Sequence, residues 1–228
     1  MIRSATPANR SRKWGGGTAS IVRVLIATDA PMTGVAIAAA VGLTQPRASQ
    51  VLSYLAEHEA VDATSLGFVG RADRLLDLYE SRARPSLAGP ETFWFSTRPQ
   101  LDQARRVARH AAVEGARVGF SADLATDLLV PCRHPTLTVV YSDTDLDLQS
   151  AGLVPAEGRS DASVIVRPTN DASLLSPAPG WPNEVSGIPL VDPVQQWWDL
   201  LDLGGADRVE AAERLRQAII ERSIGATA

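Results

Sequence analysis

TGVAIAAAVGLTQPRASQVLSYL, running from Thr33 to Leu55, is the stretch whose reading decides the fold. It reads as two short helices meeting at a sharp turn. Thr33 caps the first, the alanine-rich Gly34–Ala40, whose small side chains let a second helix cross closely. Val41-Gly42 stops it, because glycine tolerates the left-handed backbone that ends many helices. Leu43 plugs the core. Thr44 caps the second helix, and Pro46 sits in its first turn, where a missing N–H costs nothing.

In this second helix Ala48, Val51, Leu52 and Leu55 recur at i, i+3, i+4 and i+7 and form one buried stripe. The opposite face centres on Pro46, Ser49, Gln50 and Ser53, with Arg47 and Tyr54 on its flank. No carboxylate interrupts that face, which offers amide, hydroxyl and guanidinium groups. Those are the groups that hydrogen-bond base edges and phosphates in a major groove. Downstream, Val61–Ala63 and Phe68-Val69 pair across Thr64–Gly67 as a small hairpin, and Arg71–Tyr79 returns to helical periodicity. Upstream, a segment from about Ala19 to Thr28 follows Thr18 as its cap. Its β-branched run, Ile21-Val22-Arg23-Val24-Leu25-Ile26, leaves helix and strand both open.

The wording GLTQPRASQVLSYL (Gly42–Leu55) closely resembles the recognition helix of bacterial winged helix-turn-helix repressors. The resemblance implies binding to double-stranded operator DNA. Thr33, Thr44, Gln45, Pro46, Arg47, Ser49, Gln50 and Ser53 are then the candidate contact residues, Arg47 and Gln50 the best placed for bidentate base contacts. Arg10, Arg12, Lys13 and Arg71 are candidate phosphate contacts.

Charge supports a division of labour. Residues 1–110 hold 14 Lys+Arg against 9 Asp+Glu, a balance of +5, and residues 111–228 hold 8 against 17, or −9. A basic head on an acidic body suits a nucleic-acid reader joined to something else. Met1–Gly17 has no apolar core and reads as a flexible basic arm, with no signal peptide. The longest uncharged stretch, Ala30–Pro46, spans 17 residues and is broken by glycine and proline, too short to cross a bilayer. One cysteine, Cys132, excludes an internal disulfide. These features fit a cytoplasmic protein.

The fold class expected is α+β. The arm (1–17) leads into a winged helix-turn-helix domain (18–83) and a mixed α/β domain (84–228) that ends in two helices. In the last of these, Phe93–Phe95, Arg117–Phe120, Thr136–Tyr141 and Ser163–Arg167 read as strands, and Leu101–Glu114 and Ala122–Leu129 as helices. Asn170–Gly187 reads as mostly loop. Asp192-Pro193 opens a helix whose Val194, Trp197, Trp198 and Leu201 share a face, more in keeping with core than with a ligand platform, and Gly204-Gly205 ends it. Asp207 and Glu210 read as a capping box for the last helix, where Glu210 also pairs with Arg214.

Chemistry in the acidic half is sparse. His58, His110 and His134 have no ligand spacing, so neither a metal nor a cofactor is expected. Asp143, Asp145 and Asp147 alternate after a strand and would point one way, an arrangement able to gather Mg²⁺. Asp145-Leu146-Asp147-Leu148 resembles the acidic motif of nucleotidyltransferases. That family places its acidic motif after an adjacent Gly-Ser pair, whereas the candidate turn here is Gly119-Phe120-Ser121. A solvated acidic edge is the simpler reading.

GFSADLATDLLVPCRHPTLTVVY (Gly119–Tyr141) and IPLVDPVQQWWDLLDLGGADRVEAAERLRQAII (Ile188–Ile220) are similar to the AbiEi family of antitoxins and transcriptional regulators in type IV toxin–antitoxin systems. That resemblance implies autorepression, a nucleotidyltransferase-like toxin as partner, and no catalysis by this chain. Two rival readings are a nucleotidyltransferase-type enzyme with a nucleic-acid-binding head and a winged-helix regulator that senses a small molecule.

Overall fold

In the computed structural model, residues 14–84, 87–131, 134–176 and 180–224 are described. The fold is α+β. The β-branched run from Ile21 to Ile26 settles as helix: α1 spans Gly16–Ala27 and is buried along nearly its whole length from Thr18 onward. Apolar residues on every side give such a helix little periodicity, which is why sequence alone left a strand open. It starts two residues before Thr18, on Gly15, with no side-chain cap. The expected Thr18 cap is therefore incorrect, and Gly16 and Gly17 belong to the helix rather than to an arm.

α2 (Gly34–Ala40) and α3 (Gln45–Glu57) follow. Between them Gly42 takes φ +66°, the left-handed conformation the turn needs. Strands β1 (Val61–Thr64) and β2 (Gly67–Gly70) form an antiparallel hairpin, and α4 (Ala72–Arg82) returns across α1.

The second half contains β3 (Thr92–Phe95), α5 (Gln100–Glu114), β4 (Val118–Ser121), α6 (Ala122–Leu129), β5 (Thr138–Ser142), β6 (Val154–Pro155) and β7 (Val164–Pro168). A short hairpin of β8 (Glu184–Val185) and β9 (Ile188–Pro189) precedes α7 (Pro193–Leu203) and α8 (Ala206–Glu221). The five-stranded sheet has the order β4-β5-β7-β3-β6, with β5 and β7 parallel and the other neighbours antiparallel. Successive residues of its central strands face opposite sides. Val140, Val164 and Val166 join the apolar cluster that contains Ala104 and Val107 of α5, while Val139, Tyr141 and Ile165 join a second cluster with Val191.

Several local expectations change. The strand read as Thr136–Tyr141 starts at Thr138, because the N–H groups of Thr136 and Leu137 donate to the Asp123 carboxylate at 3.1 Å and are lost to the ladder. The β8–β9 hairpin lies at the end of a segment read as loop; its Ser186-Gly187 turn has φ values of 55° and 76°. α8 is capped by Gly205 without a side-chain bond, so Asp207 sits inside the first turn and the expected capping box is absent. The Glu210–Arg214 pair does form, at 2.7 Å. Trp197 and Trp198 are both buried in the core.

The first apolar cluster is continuous from α1 and α3 (Ile21, Leu25, Leu52, Leu55) to α7 and α8 (Trp197, Ala212, Leu215). A polar chain crosses the same junction. Arg23, 3% exposed, donates to Tyr79 Oη at 3.0 Å, to Asp171 Oδ2 at 3.0 Å and to the Ser173 hydroxyl. Tyr79 donates to Gln195 Oε1 at 2.8 Å, and Gln195 Nε2 donates to Tyr141 Oη and Asp199 Oδ1, each at 3.0 Å. Asp199, with no exposed surface, also accepts from Ser121 and from Arg167 Nη1 at 2.6 Å. Arg167 in turn donates to Glu91 at 2.6 Å and Asp202 at 2.8 Å.

Burial penalises the charge on Arg23, yet Tyr79 and Asp171 outweigh it and hold its pKa above the ordinary value. Burial would raise the Asp171 carboxyl, but Arg23 and Ser173 keep it below its usual range. Removing one member of such a buried pair strands the other charge. Arg23→Ala is therefore expected to cost about 3–5 kcal/mol in urea unfolding, with Arg23→Ala/Asp171→Ala costing less than the sum of the two single losses.

Asp192, the N-cap of α7, accepts the Val194 N–H at 2.8 Å. Burial pushes its carboxyl from 3.8 up to about 6. Between those values the folded chain binds a proton that the unfolded chain has released, so this group stabilises the fold below pH 4 and that contribution is lost as pH rises through about 6. A difference of that size is on the order of 3 kcal/mol. Unfolding free energies measured from pH 4 to pH 7 should fall more steeply in the native protein than in Asp192→Asn.

Candidate nucleic-acid interface

α3 owes its position to its buried stripe. Ala48, Val51, Leu52 and Leu55 are buried, as the spacing predicts, and fix which side of the helix faces out. Thr44, Gln45, Pro46, Arg47, Ser49, Gln50 and Ser53 are all exposed. Among the described residues, nothing from the second half covers Ser49 or Gln50. From Gln45 to Leu55 the helix carries no carboxylate. Thr33 caps α2 as expected, its hydroxyl accepting the Ala36 N–H at 3.2 Å. Thr44 is the N-cap residue of α3, as expected, but through its backbone: its carbonyl accepts the Ala48 N–H at 3.0 Å, and its side chain makes no capping bond.

Arg47 lies along the helix surface. Its guanidinium donates to Gln50 Oε1 at 3.3 Å and to Thr18 Oγ1 at 3.5 Å, long contacts that a better acceptor would displace. Beside it Trp14, Thr18, Arg47, Gln50, Tyr54 and Arg82 surround a hollow of about 420 Å³. Trp14 meets Tyr54 and Tyr79 edge-on, with ring centroids 6.3 Å apart in each case, and its backbone N–H donates to the Arg82 carbonyl at 3.0 Å. Trp14 and Arg82 were missed in the sequence because they are far from α3 along the chain.

Arg71 stands at the base of the hairpin, where its Nε and Nη2 donate to Asp62 at 2.9 and 2.8 Å. Asp62 holds the guanidinium pKa above its ordinary value, and Arg71 holds the Asp62 carboxyl below its own. Both side chains are about half exposed, so the pair is screened by water. Its geometry directs Arg71 toward Asp62 and away from a free approach to phosphate. Arg10, Arg12 and Lys13 lie outside the described residues.

The hairpin is anchored by a contact that sequence spacing did not reveal. Met32 N–H donates to the Phe68 carbonyl at 3.0 Å, and Phe68 N–H donates to the Met32 carbonyl at 2.8 Å. Met32 thus forms a one-residue bridge on the outer edge of β2 and ties the hairpin to the start of α2. At its tip Leu66 is 72% exposed, and Gly67 takes φ +137° with its Cα facing the Met32 carbonyl.

The acidic run in the second half does not assemble. Asp143 accepts from Arg117 Nε at 2.8 Å and from Arg117 N–H at 2.9 Å, and Asp147 accepts the Gln149 N–H at 3.0 Å. Leu146 and Leu148 turn inward while Asp145 and Asp147 face water. Gly119–Ser121 lie in strand β4 instead of forming a turn, and Ser121 is bonded to Asp199. Among the described residues, no group of three or more His, Cys, Asp or Glu could hold a metal ion. No described helix is long and apolar enough to cross a membrane.

Comparison with known protein families, with curated proteins and with solved structures finds no match to this chain. The geometry of the site therefore carries the functional reading.

A side chain at Gly67 would need a strained backbone and would collide with the Met32 carbonyl. Gly67→Ala is expected to destabilise the protein by about 1–3 kcal/mol in thermal or urea unfolding, with amide exchange accelerated first in residues 61–70.

Proposed function

We propose that this chain is a DNA-binding transcriptional regulator that uses α2, α3 and the β1–β2 hairpin as a winged helix-turn-helix. The observation that carries the reading is the exposed face of α3. Seven polar or small residues are exposed there, free of carboxylates, on a helix fixed by its buried stripe. Arg47 and Gln50 are the side chains suited to bidentate contact with guanine and adenine. Thr33, Thr44, Gln45, Pro46, Ser49 and Ser53 complete the surface that meets bases and backbone. The hairpin lies alongside as the wing. Arg10, Arg12, Lys13 and, once released from Asp62, Arg71 add phosphate contacts that strengthen binding without reading sequence.

The second half serves regulation in this proposal. Its resemblance to AbiEi antitoxins supports autorepression of an operon and antagonism of a nucleotidyltransferase-like toxin, with this chain acting by binding and without a cofactor. Its excess of acid, 17 Asp+Glu against 8 Lys+Arg over residues 111–228, suits a basic protein partner better than nucleic acid.

The purified chain should retard a duplex drawn from upstream of its own coding sequence, with affinity falling steeply as salt rises. Arg47→Ala/Gln50→Ala should weaken specific binding by about 100-fold or more while leaving the melting temperature nearly unchanged, because both side chains face outward. No retardation at any salt by a folded sample would contradict the proposal. A large loss of stability in the double variant would show that these side chains hold the fold.

A further inference from the structure

We infer that the cavity between α1, the end of α2 and the start of α7 is a binding site for a small organic amine with an apolar body, held by Asp192. The cavity measures about 590 Å³, the size that takes a metabolite or drug-sized ligand. Its walls are mostly apolar, with Val24 and Ala27 from α1, Met32 from the connection to α2, and Ala40 at the end of α2. Its polar lining includes Arg23, Ser20, Ser173 and Asp192, with Thr28, Asp29 and Ser176 besides. A largely greasy chamber with a few convergent polar groups binds a ligand body by burial and orients it through one or two directed bonds.

The charge balance selects the ligand's polar end. Arg23 is already matched by Asp171 at 3.0 Å and spends donors on Tyr79, Ser20 and Ser173. Asp192 is 1% exposed, yet the only hydrogen bond its carboxylate receives among the described residues is the one from Val194 N–H. One guanidinium against two carboxylates leaves a surplus negative charge in a site of low polarity. At the rim, Asp29 is paired with Arg222. An ammonium group supplies the missing donor and the missing charge together, whereas a carboxylate ligand would add to the surplus. Burial raises the Asp192 carboxyl toward neutrality, and the attraction of Arg23, which Asp171 shares, offsets that rise only in part. The inference is independent of DNA binding, since it concerns the free protein.

The test uses 2-phenylethylamine and cyclohexylmethylamine as probes, with phenylacetate as the anionic control, against the full chain in the absence of DNA. At millimolar concentration the amines should raise the melting temperature and shift amide resonances in residues 27–32 and 191–194, and phenylacetate should do neither. Asp192→Asn keeps an N-cap side chain and removes the charge, and should weaken amine binding by about tenfold or more. Ala40→Leu fills the chamber from its exposed edge without touching Asp192, and should weaken binding to a similar degree. Absence of binding by both amines, equal binding of phenylacetate, or undiminished affinity in the Ala40→Leu protein would each overturn the assignment. So would undiminished affinity in a folded Asp192→Asn protein.

Discussion

Arg23 is a charged side chain placed in the middle of an otherwise apolar helix, and the rest of the structure is arranged so that it can stay there. A guanidinium that is 3% exposed is tolerated only with full hydrogen bonding and a counter-charge. Asp171 supplies the charge from a segment about 150 residues away, and Tyr79 passes the connection on to Gln195, Tyr141, Asp199 and Arg167. Each link demands a defined position of α1, α4, α7 and the central strands. Apolar packing alone would allow these elements to slide; directed bonds in a medium of low polarity do not. The basic N-terminal half is therefore held to the acidic half in one register.

That attachment bears on how α3 is presented. α3 itself makes none of these polar links. It rides on α1 through its buried stripe, and the hairpin rides on Met32 and α1 in the same way. The proposed DNA-reading surface is thus built from the lightly attached elements of a body whose firm part is the junction. Such an arrangement leaves the outward face of α3 free of structural duties, apart from the long contacts of Arg47 to Thr18 and Gln50. It also places the α1–α2–α7 cavity where both halves contribute walls.

Sequence made α2, its turn and α3 legible because each signal there is local: Thr33 three residues before the N–H it caps, Gly42 at a left-handed turn, and four apolar residues on one stripe. Four strands of the main sheet, all but β6, were legible to within a few residues for the same reason. What failed depends on distance along the chain. Asp123 removes Thr136 and Leu137 from β5 by a side-chain bond that no pattern of hydropathy encodes. The two-residue strands β6, β8 and β9 are too short to carry a period. The Arg23, Arg167 and Asp199 network had one visible trace, namely isolated charges inside apolar runs (Ile-Val-Arg-Val, Val-Ile-Val-Arg, Trp-Trp-Asp-Leu). Such charges are buried only when paired, but the identity of the partner lies in the fold.

The central claim is that a nucleic-acid duplex meets this protein on α3. Amide hydrogen exchange with and without an upstream duplex tests it directly, because it reports where along the chain the duplex sits. The account predicts added protection in residues 33–53 and at the hairpin tip, with the acidic half unchanged. Protection confined to the second half, with Gln45–Ser53 exchanging as in the free protein, would contradict it.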